Sequence, residues 1–184
     1  MSATKSPNRP RTDKAAHAAK TARADFEIHH QRIAPGKRQQ IEIPVAKTYD
    51  HMDVTMPVEV VHGAHDGPVL FVTAAIHGDE ICGVEIIRRL LRHSALKSLR
   101  GTLIAIPIVN VYGFLNHSRY LPDGRDLNRS FPGSPKGSLT GRVAHTFFNV
   151  TATIVMLPFL NQLAALVTRM IPEKAGAAKG AFKY

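Results

Sequence analysis

Two uninterrupted apolar runs, Val69–Ile76 and Thr102–Val109, separated by a stretch of helical periodicity, limit most tightly what this chain can fold into. Each run is short, partly β-branched and preceded by turn residues, as in strands covered on both faces, and the first is expected to be a central strand of the sheet. Between them, apolar residues recur at Ile81, Val84, Ile86 or Ile87, Leu90 and Leu91. Arg88, Arg89 and Arg92 follow near the end, where cations suit the helix dipole. The spacing predicts an amphipathic helix over 80–93 between two buried strands. Such a crossover is parallel and right-handed, and ligands gather beyond the carboxyl ends of its strands.

Upstream, Gln40-Ile41-Glu42-Ile43-Pro44-Val45 and Met56-Pro57-Val58-Glu59-Val60-Val61 alternate apolar and polar side chains, the period of half-exposed strands. They predict an antiparallel edge, followed by a turn at His65-Asp66-Gly67-Pro68. With 184 residues, 44% of them hydrophobic, the chain is long enough for one core, and the fold class is α/β.

The formal charge of +10 raises nucleic acid or an anionic surface as a partner, so its placement matters. Much of it lies in the first forty residues, which are rich in Lys, Arg, Ala, Ser and Thr and poor in large apolar side chains. That composition reads as a solvated, disordered basic arm over 1–39. The chain has no Trp, no aromatic-interleaved basic stripe and no zinc-finger or helix-turn-helix pattern, so no nucleic-acid partner is expected. No apolar run follows the basic N-terminal residues, and Cys82 is the single cysteine, so a reducing, cytoplasmic setting is the expectation.

The chemistry sits where the two buried strands end. After the first comes His77-Gly78-Asp79-Glu80. An imidazole and a carboxylate three residues apart can turn toward one point if the chain bends, which Gly78 permits. Both are ordinary zinc ligands. Taken alone, the four residues also read as a loop histidine followed by a first-turn acid. After the second strand comes Asn110-Val111-Tyr112-Gly113-Phe114, then a loop carrying Arg119, Arg125, Asn128 and Arg129. Guanidinium groups can grip a carboxylate in a fork and stabilise a developing oxyanion. Pro122-Asp123-Gly124 and Phe131-Pro132-Gly133 are also common turn sequences, but two motifs at adjacent strand ends favour a site.

His77-x-x-Glu80 followed by Asp126-Leu127-Asn128-Arg129-Ser130-Phe131-Pro132-Gly133 resembles the succinylglutamate desuccinylase and aspartoacylase family, a branch of the zinc carboxypeptidase superfamily. The resemblance spans roughly 40–148 and implies a partial carboxypeptidase-like mixed sheet flanked by helices. It implies that His77 and Glu80 bind Zn2+ and that Asn128 and Arg129 hold a substrate carboxylate. Arg119, with Arg125 as second candidate, would polarise the scissile carbonyl. The implied reaction is metal-assisted hydrolysis of an amide or ester bond in a small N-acyl amino acid, with a glutamate as general base.

The resemblance continues through Ser138–Phe148, where Ser138 reads as a helix cap. Beyond it the family pattern supplies an Asp-x-His piece with the third zinc ligand, and later the general-base glutamate. Here no histidine follows His145, and Glu173 is the one acid beyond Asp126. Residues 40–149 are therefore read as the N-terminal part of the catalytic domain and 150–184 as a divergent apolar segment and tail. Pro158, Asn161, Gln162 and Arg169 interrupt that segment, so no membrane span is expected. His145 reads as a helix-packing or surface residue, His117 as a weaker ligand candidate, and His29, His30, His51, His62 and His65 as exposed. Cys82 reads as a small core residue. Two functions follow: a zinc-dependent deacylase, impaired by the absent groups, or a non-catalytic interaction remnant of the same family.

Overall fold

A computed structural model describes residues 23–47, 51, 53–156, 159, 162 and 165. A short hairpin, β1 (Phe26–Ile28) and β2 (Gln31–Ile33), leads into the long strands β3 (Lys37–Lys47) and β4 (Asp53–His62). Strand β5 (His65–Thr73), helix α1 (Cys82–Arg92) and strand β6 (Arg100–Ile106) form the crossover unit. A five-residue helix α2 (Val111–Leu115) and the long helix α3 (Leu139–Met156) complete the described fold.

The main sheet runs β3-β4-β6-β5, antiparallel except for the parallel β5–β6 pair. Alternation along β3 does what the sequence predicts: Ile41, Ile43 and Val45 are buried while their neighbours face outward. In β6 every residue after Arg100 is buried, because successive side chains meet different layers. Ile104 and Ile106 join Val58, Val60 and the α3 face formed by Val143, Ala144 and Phe147. Leu103 and Ala105 point the other way, against Ile87 and Leu91 of α1. The result is a sheet with a helix on each side, one core per face.

Three local expectations are corrected. Strand β5 is an edge strand of the described sheet rather than a central one, with Val69 and Leu70 at 38% and 57% exposure. A central strand needs partners on both edges, and among the described residues β6 is the sole neighbour of β5. His65–Pro68 is not a turn but the start of that strand, where a register shift relative to β6 absorbs the extra residues. The reversal lies at Gly63, whose N–H donates to Gly101 O at 2.9 Å. Pairing also begins earlier than the expected boundary at residue 40. Residues 1–22 of the expected arm lie outside the described residues, whereas Ile28 and Ile33 of the β1–β2 hairpin are buried in the main core.

Arg23 explains how that early segment is tied down. Its Nη1 donates to Gly63 O at 2.7 Å and Gly101 O at 2.8 Å, and its Nη2 to Thr102 Oγ1 at 2.8 Å. His62, expected to be exposed, is 2% exposed and spans Thr102 Oγ1 at 2.8 Å and Ala24 O at 3.0 Å. The expected helix through Phe148 continues to Met156; of the apolar stretch beyond, 157–158, 160–161, 163–164 and 166–184 lie outside the described residues. Among the described residues no helix is long and apolar enough to cross a membrane.

Candidate active site

The carboxyl ends of β5 and β6 are stitched together, which fixes the two loops that follow them. Ala74 N–H donates to Ile106 O at 3.0 Å, Val109 N–H to Ala74 O at 3.1 Å and Asn110 N–H to Ala75 O at 2.9 Å. Ala75 takes the left-handed conformation, φ 50°, and is buried. That is a strained backbone position for a side-chain-bearing residue, held at the start of the His77 loop. Gly78 N–H then donates to Ser118 O at 3.0 Å, docking this loop on the next.

The need for glycine at 78 differs from the sequence expectation. Gly78 is not among the residues with positive φ, so bending freedom is not the reason. A Cβ at Gly78 would lie 1.8 Å from the carbonyl carbon of Gly113 and 2.1 Å from its oxygen. The two loops touch backbone to backbone, and a side chain would push them apart. Gly113 is itself fixed by Asn110, fully buried, whose Oδ1 accepts from Gly113 N–H at 2.8 Å.

At this junction His77 Nδ1 lies 2.8 Å from Glu80 Oε1, and Nε2 lies 3.0 Å from Asp126 Oδ1. The imidazole is buried, the Glu80 side chain is 59% exposed and the Asp126 side chain 9%. Asp126 organises the rest. Its Oδ1 accepts from Asn128 N–H at 2.9 Å, and its Oδ2 accepts from Arg119 Nε and Nη2 at 3.2 Å each. Arg119 Nη1 is also 4.0 Å from Glu80 Oε1.

With a carboxylate on each ring nitrogen, both contacts are hydrogen bonds only in the imidazolium form. Burial opposes that charge and Arg119 adds to the opposition, but the bonds to Glu80 and Asp126 prevail and the His77 pKa is raised. Asp126 is the counterpart: burial pushes its pKa up, while His77, Asn128 N–H and Arg119 outweigh burial and lower it. Nδ1 and Glu80 Oε1, 2.8 Å apart, aim at one point, where a cation could stand in place of a shared proton. The donor types suit zinc, although among the described residues no group of three His, Cys, Asp or Glu side chains is arranged to hold a metal ion.

The remaining sequence-predicted residues separate into two groups. Arg119 stands in the cluster with His77, Glu80 and Asp126. Arg129, exposed, has Nε 3.9 Å from Asp126 Oδ2, and Asn128 reaches the cluster through its backbone N–H while its side chain is exposed. Arg125 is not brought into this cluster; it lines a shallow hollow of about 390 Å3 together with Arg129, Ser130 and Ser138. Asp126 itself was quoted in the sequence motif without a role. Its sequence signal is an acid at the start of the motif whose Asn128 and Arg129 the family resemblance assigns to the substrate carboxylate. Cys82, expected in the core, is exposed. His145 is half-buried on α3 with Nε2 2.9 Å from Asn149 Nδ2.

The loop is anchored from below. Leu127 is fully buried in the main core beside Val143 and Phe147. Ser138, the expected cap of α3, accepts from Gly141 N–H at 3.3 Å, and Asp123 supplements it, its carboxylate accepting from Thr140 N–H at 2.9 Å and from the Thr140 hydroxyl.

A parallel crossover with a His-x-x-Glu loop facing an arginine-bearing loop at its carboxyl end defines an α/β protein of carboxypeptidase-like architecture. Residues 66–168 match the succinylglutamate desuccinylase/aspartoacylase catalytic domain, and the chain belongs to that family. It is 37% identical over 98 residues to the N-alpha-acetyl-L-2,4-diaminobutyric acid deacetylase of Halomonas elongata, a match covering 53% of this chain and 28% of that protein. Among solved structures, a succinylglutamate desuccinylase/aspartoacylase from Rhodobacter sphaeroides superposes with a TM-score of 0.54 at 32% identity, over 59% of this chain and 34% of the other. The product-bound ectoine utilization protein EutE of Ruegeria pomeroyi gives 0.53 at 32% identity, over 60% and 35%. The chain therefore spans about a third of the length of these relatives.

Proposed function

We propose that this chain supplies the cation-binding and carboxylate-binding part of a hydrolase site that removes acyl groups from N-acyl amino acids. The observation that carries the reading is the convergence of His77 Nδ1 and Glu80 Oε1, 2.8 Å apart, beside Arg119. His77 and Glu80 would hold a zinc ion, which when bound supplies Lewis acidity for hydrolysis. Asp126 accepts the Nε2–H of His77 and so keeps the Nδ1 lone pair for the cation. Arg119, oriented by Asp126, faces the same point and would stabilise a developing oxyanion by roughly 3 kcal/mol. The exposed side chains of Asn128 and Arg129 would grip the substrate carboxylate. Substrates of the N-acetyl-2,4-diaminobutyrate type are the first to try, on the likeness to the Halomonas deacetylase. A cytoplasmic setting accords with the single, exposed thiol.

The test pairs zinc titration with substrate binding. The reading expects near-stoichiometric zinc, and N-acetyl-2,4-diaminobutyrate affinity lost in Arg129→Ala. Absence of both zinc uptake and substrate binding would sink it. A second reading, an interaction module, is favoured by the edge of β5 that has no partner among the described residues, where Val69 and Leu70 are exposed. It predicts self-association or partner capture that a charge at Leu70 abolishes, with zinc uptake absent.

A further inference from the structure

At the opposite end of the sheet lies a cavity of about 480 Å3, bounded by the start of β3, the end of β4 and the turn after α1. Strand β6 runs between the two ends, so roughly 20 Å separates this cavity from His77 at about 3.3 Å per residue. Its apolar floor is formed by Val61, Leu91 and Leu96, and its rim carries Lys37, Arg92 and Lys97. Among the described residues, no Asp or Glu lines it.

Arg38, a fourth lining cation, is spent: its Nε donates to Glu59 at 2.9 Å and its Nη1 to Leu91 O at 2.6 Å. Leu90 O accepts from His93 N–H at 3.0 Å. Two of the carbonyls at the end of α1 are thus satisfied without Arg92, which complements the helix dipole from the last turn but makes no ion pair among the described residues. Among the described residues, Lys37, Arg92 and Lys97 have no carboxylate within 4.0 Å, whereas Arg88 and Arg89 on the same helix are paired with Glu85. Three uncompensated cations around an apolar floor make a site for a molecule that is apolar at one end and anionic at the other.

We infer that this cavity binds a small amphipathic anion, an aryl or acyl group bearing a phosphate or carboxylate, independently of the His77 site. The apolar body would cover Val61, Leu91 and Leu96, and the anion would sit among Lys37, Arg92 and Lys97. A polyanion such as nucleic acid would use the same cations but not the floor.

The experiment is titration of the full chain with 1-naphthyl phosphate, followed by amide shifts in a nitrogen–proton correlation spectrum. Saturable shifts at Gly36, Gly63 and Ser94, with those of Gly78 and Asn128 unmoved, are expected. Reversal of charge at two exposed positions, Lys37→Glu with Lys97→Glu, should weaken binding at least tenfold with the spectrum otherwise preserved; Arg92→Glu alone provides a second variant. 1-Naphthol and inorganic phosphate should each bind at least tenfold more weakly than the combined molecule. Inorganic phosphate or a short oligonucleotide binding as tightly as 1-naphthyl phosphate would overturn the inference, as would affinity unchanged in both variants or shifts confined to the His77 loop.

Discussion

Asp126 Oδ1 and His77 Nε2 are 3.0 Å apart across forty-nine residues of sequence, and this contact decides which nitrogen of His77 faces Glu80. A carboxylate behind a ligating imidazole fixes its tautomer and ring orientation and raises its basicity. Replacing it with an amide keeps the size and removes the charge. Asp126→Asn should weaken zinc binding by roughly 10–100-fold, as measured by competition with a chelator, while the thermal transition remains cooperative. Unchanged affinity would mean that Asp126 serves the loop alone.

The contact between Gly78 and Gly113 predicts a steric effect separable from chemistry. Gly78→Ala drives a methyl into backbone that cannot yield and should cost at least about 1–3 kcal/mol in denaturant unfolding. Gly124 is the control. It has φ +72° with nothing within 4 Å of an added Cβ, so Gly124→Ala should cost about 1 kcal/mol, from backbone conformation alone.

Asp123 links the arginine-bearing loop to the start of α3. Burial pushes its pKa up, but hydrogen bonds from the Thr140 side chain and N–H, from Ser138 and from Arg125 N–H outweigh burial and lower it. A carboxyl whose folded pKa lies below its unfolded value stabilises the fold above the unfolded pKa, near 4. That contribution is lost as pH falls through the folded pKa. Asp123→Ala should cost about 1–2 kcal/mol at pH 7, the usual loss for a helix cap, and flatten the acid limb of the stability curve below pH 4.

The raised pKa of His77 has the opposite sign. In the metal-free protein its contribution is complete below the unfolded value of about 6.5 and is lost as pH rises through the higher folded value. Metal-free protein should show a His77 titration midpoint above that of an exposed histidine by NMR. Zinc should abolish that titration over the same range, because the cation replaces the shared proton.

Much of this arrangement was legible in the sequence because it rests on periodicity. Alternation placed Ile41, Ile43 and Val45 inward, and the 3.6 period placed Leu91 and one of Ile86 and Ile87 on the buried face of α1; the buried one is Ile87, while Ile81, also expected there, is exposed. What was not legible depends on tertiary partners. A run such as Val69–Ile76 has the same composition whether or not a strand flanks its outer edge, so β5 read as central. His62 read as exposed because its partners, Thr102 and Ala24, are near it only in the fold. Gly78 was singled out correctly but for the wrong reason, since close approach to Gly113 is a property of two loops. Asp126 was missed as the partner of His77 because a forty-nine-residue separation carries no local signal.

The convergence of His77 and Glu80 on one cation is tested most directly by the imidazole nitrogen shifts of His77 during a zinc titration. One equivalent should move Nδ1 to the value of a metal-bound nitrogen while Nε2 keeps its proton toward Asp126, and both His77→Ala and Glu80→Gln should lose the tight equivalent. Ligation through Nε2, or a full equivalent of zinc retained in both variants, would contradict the account.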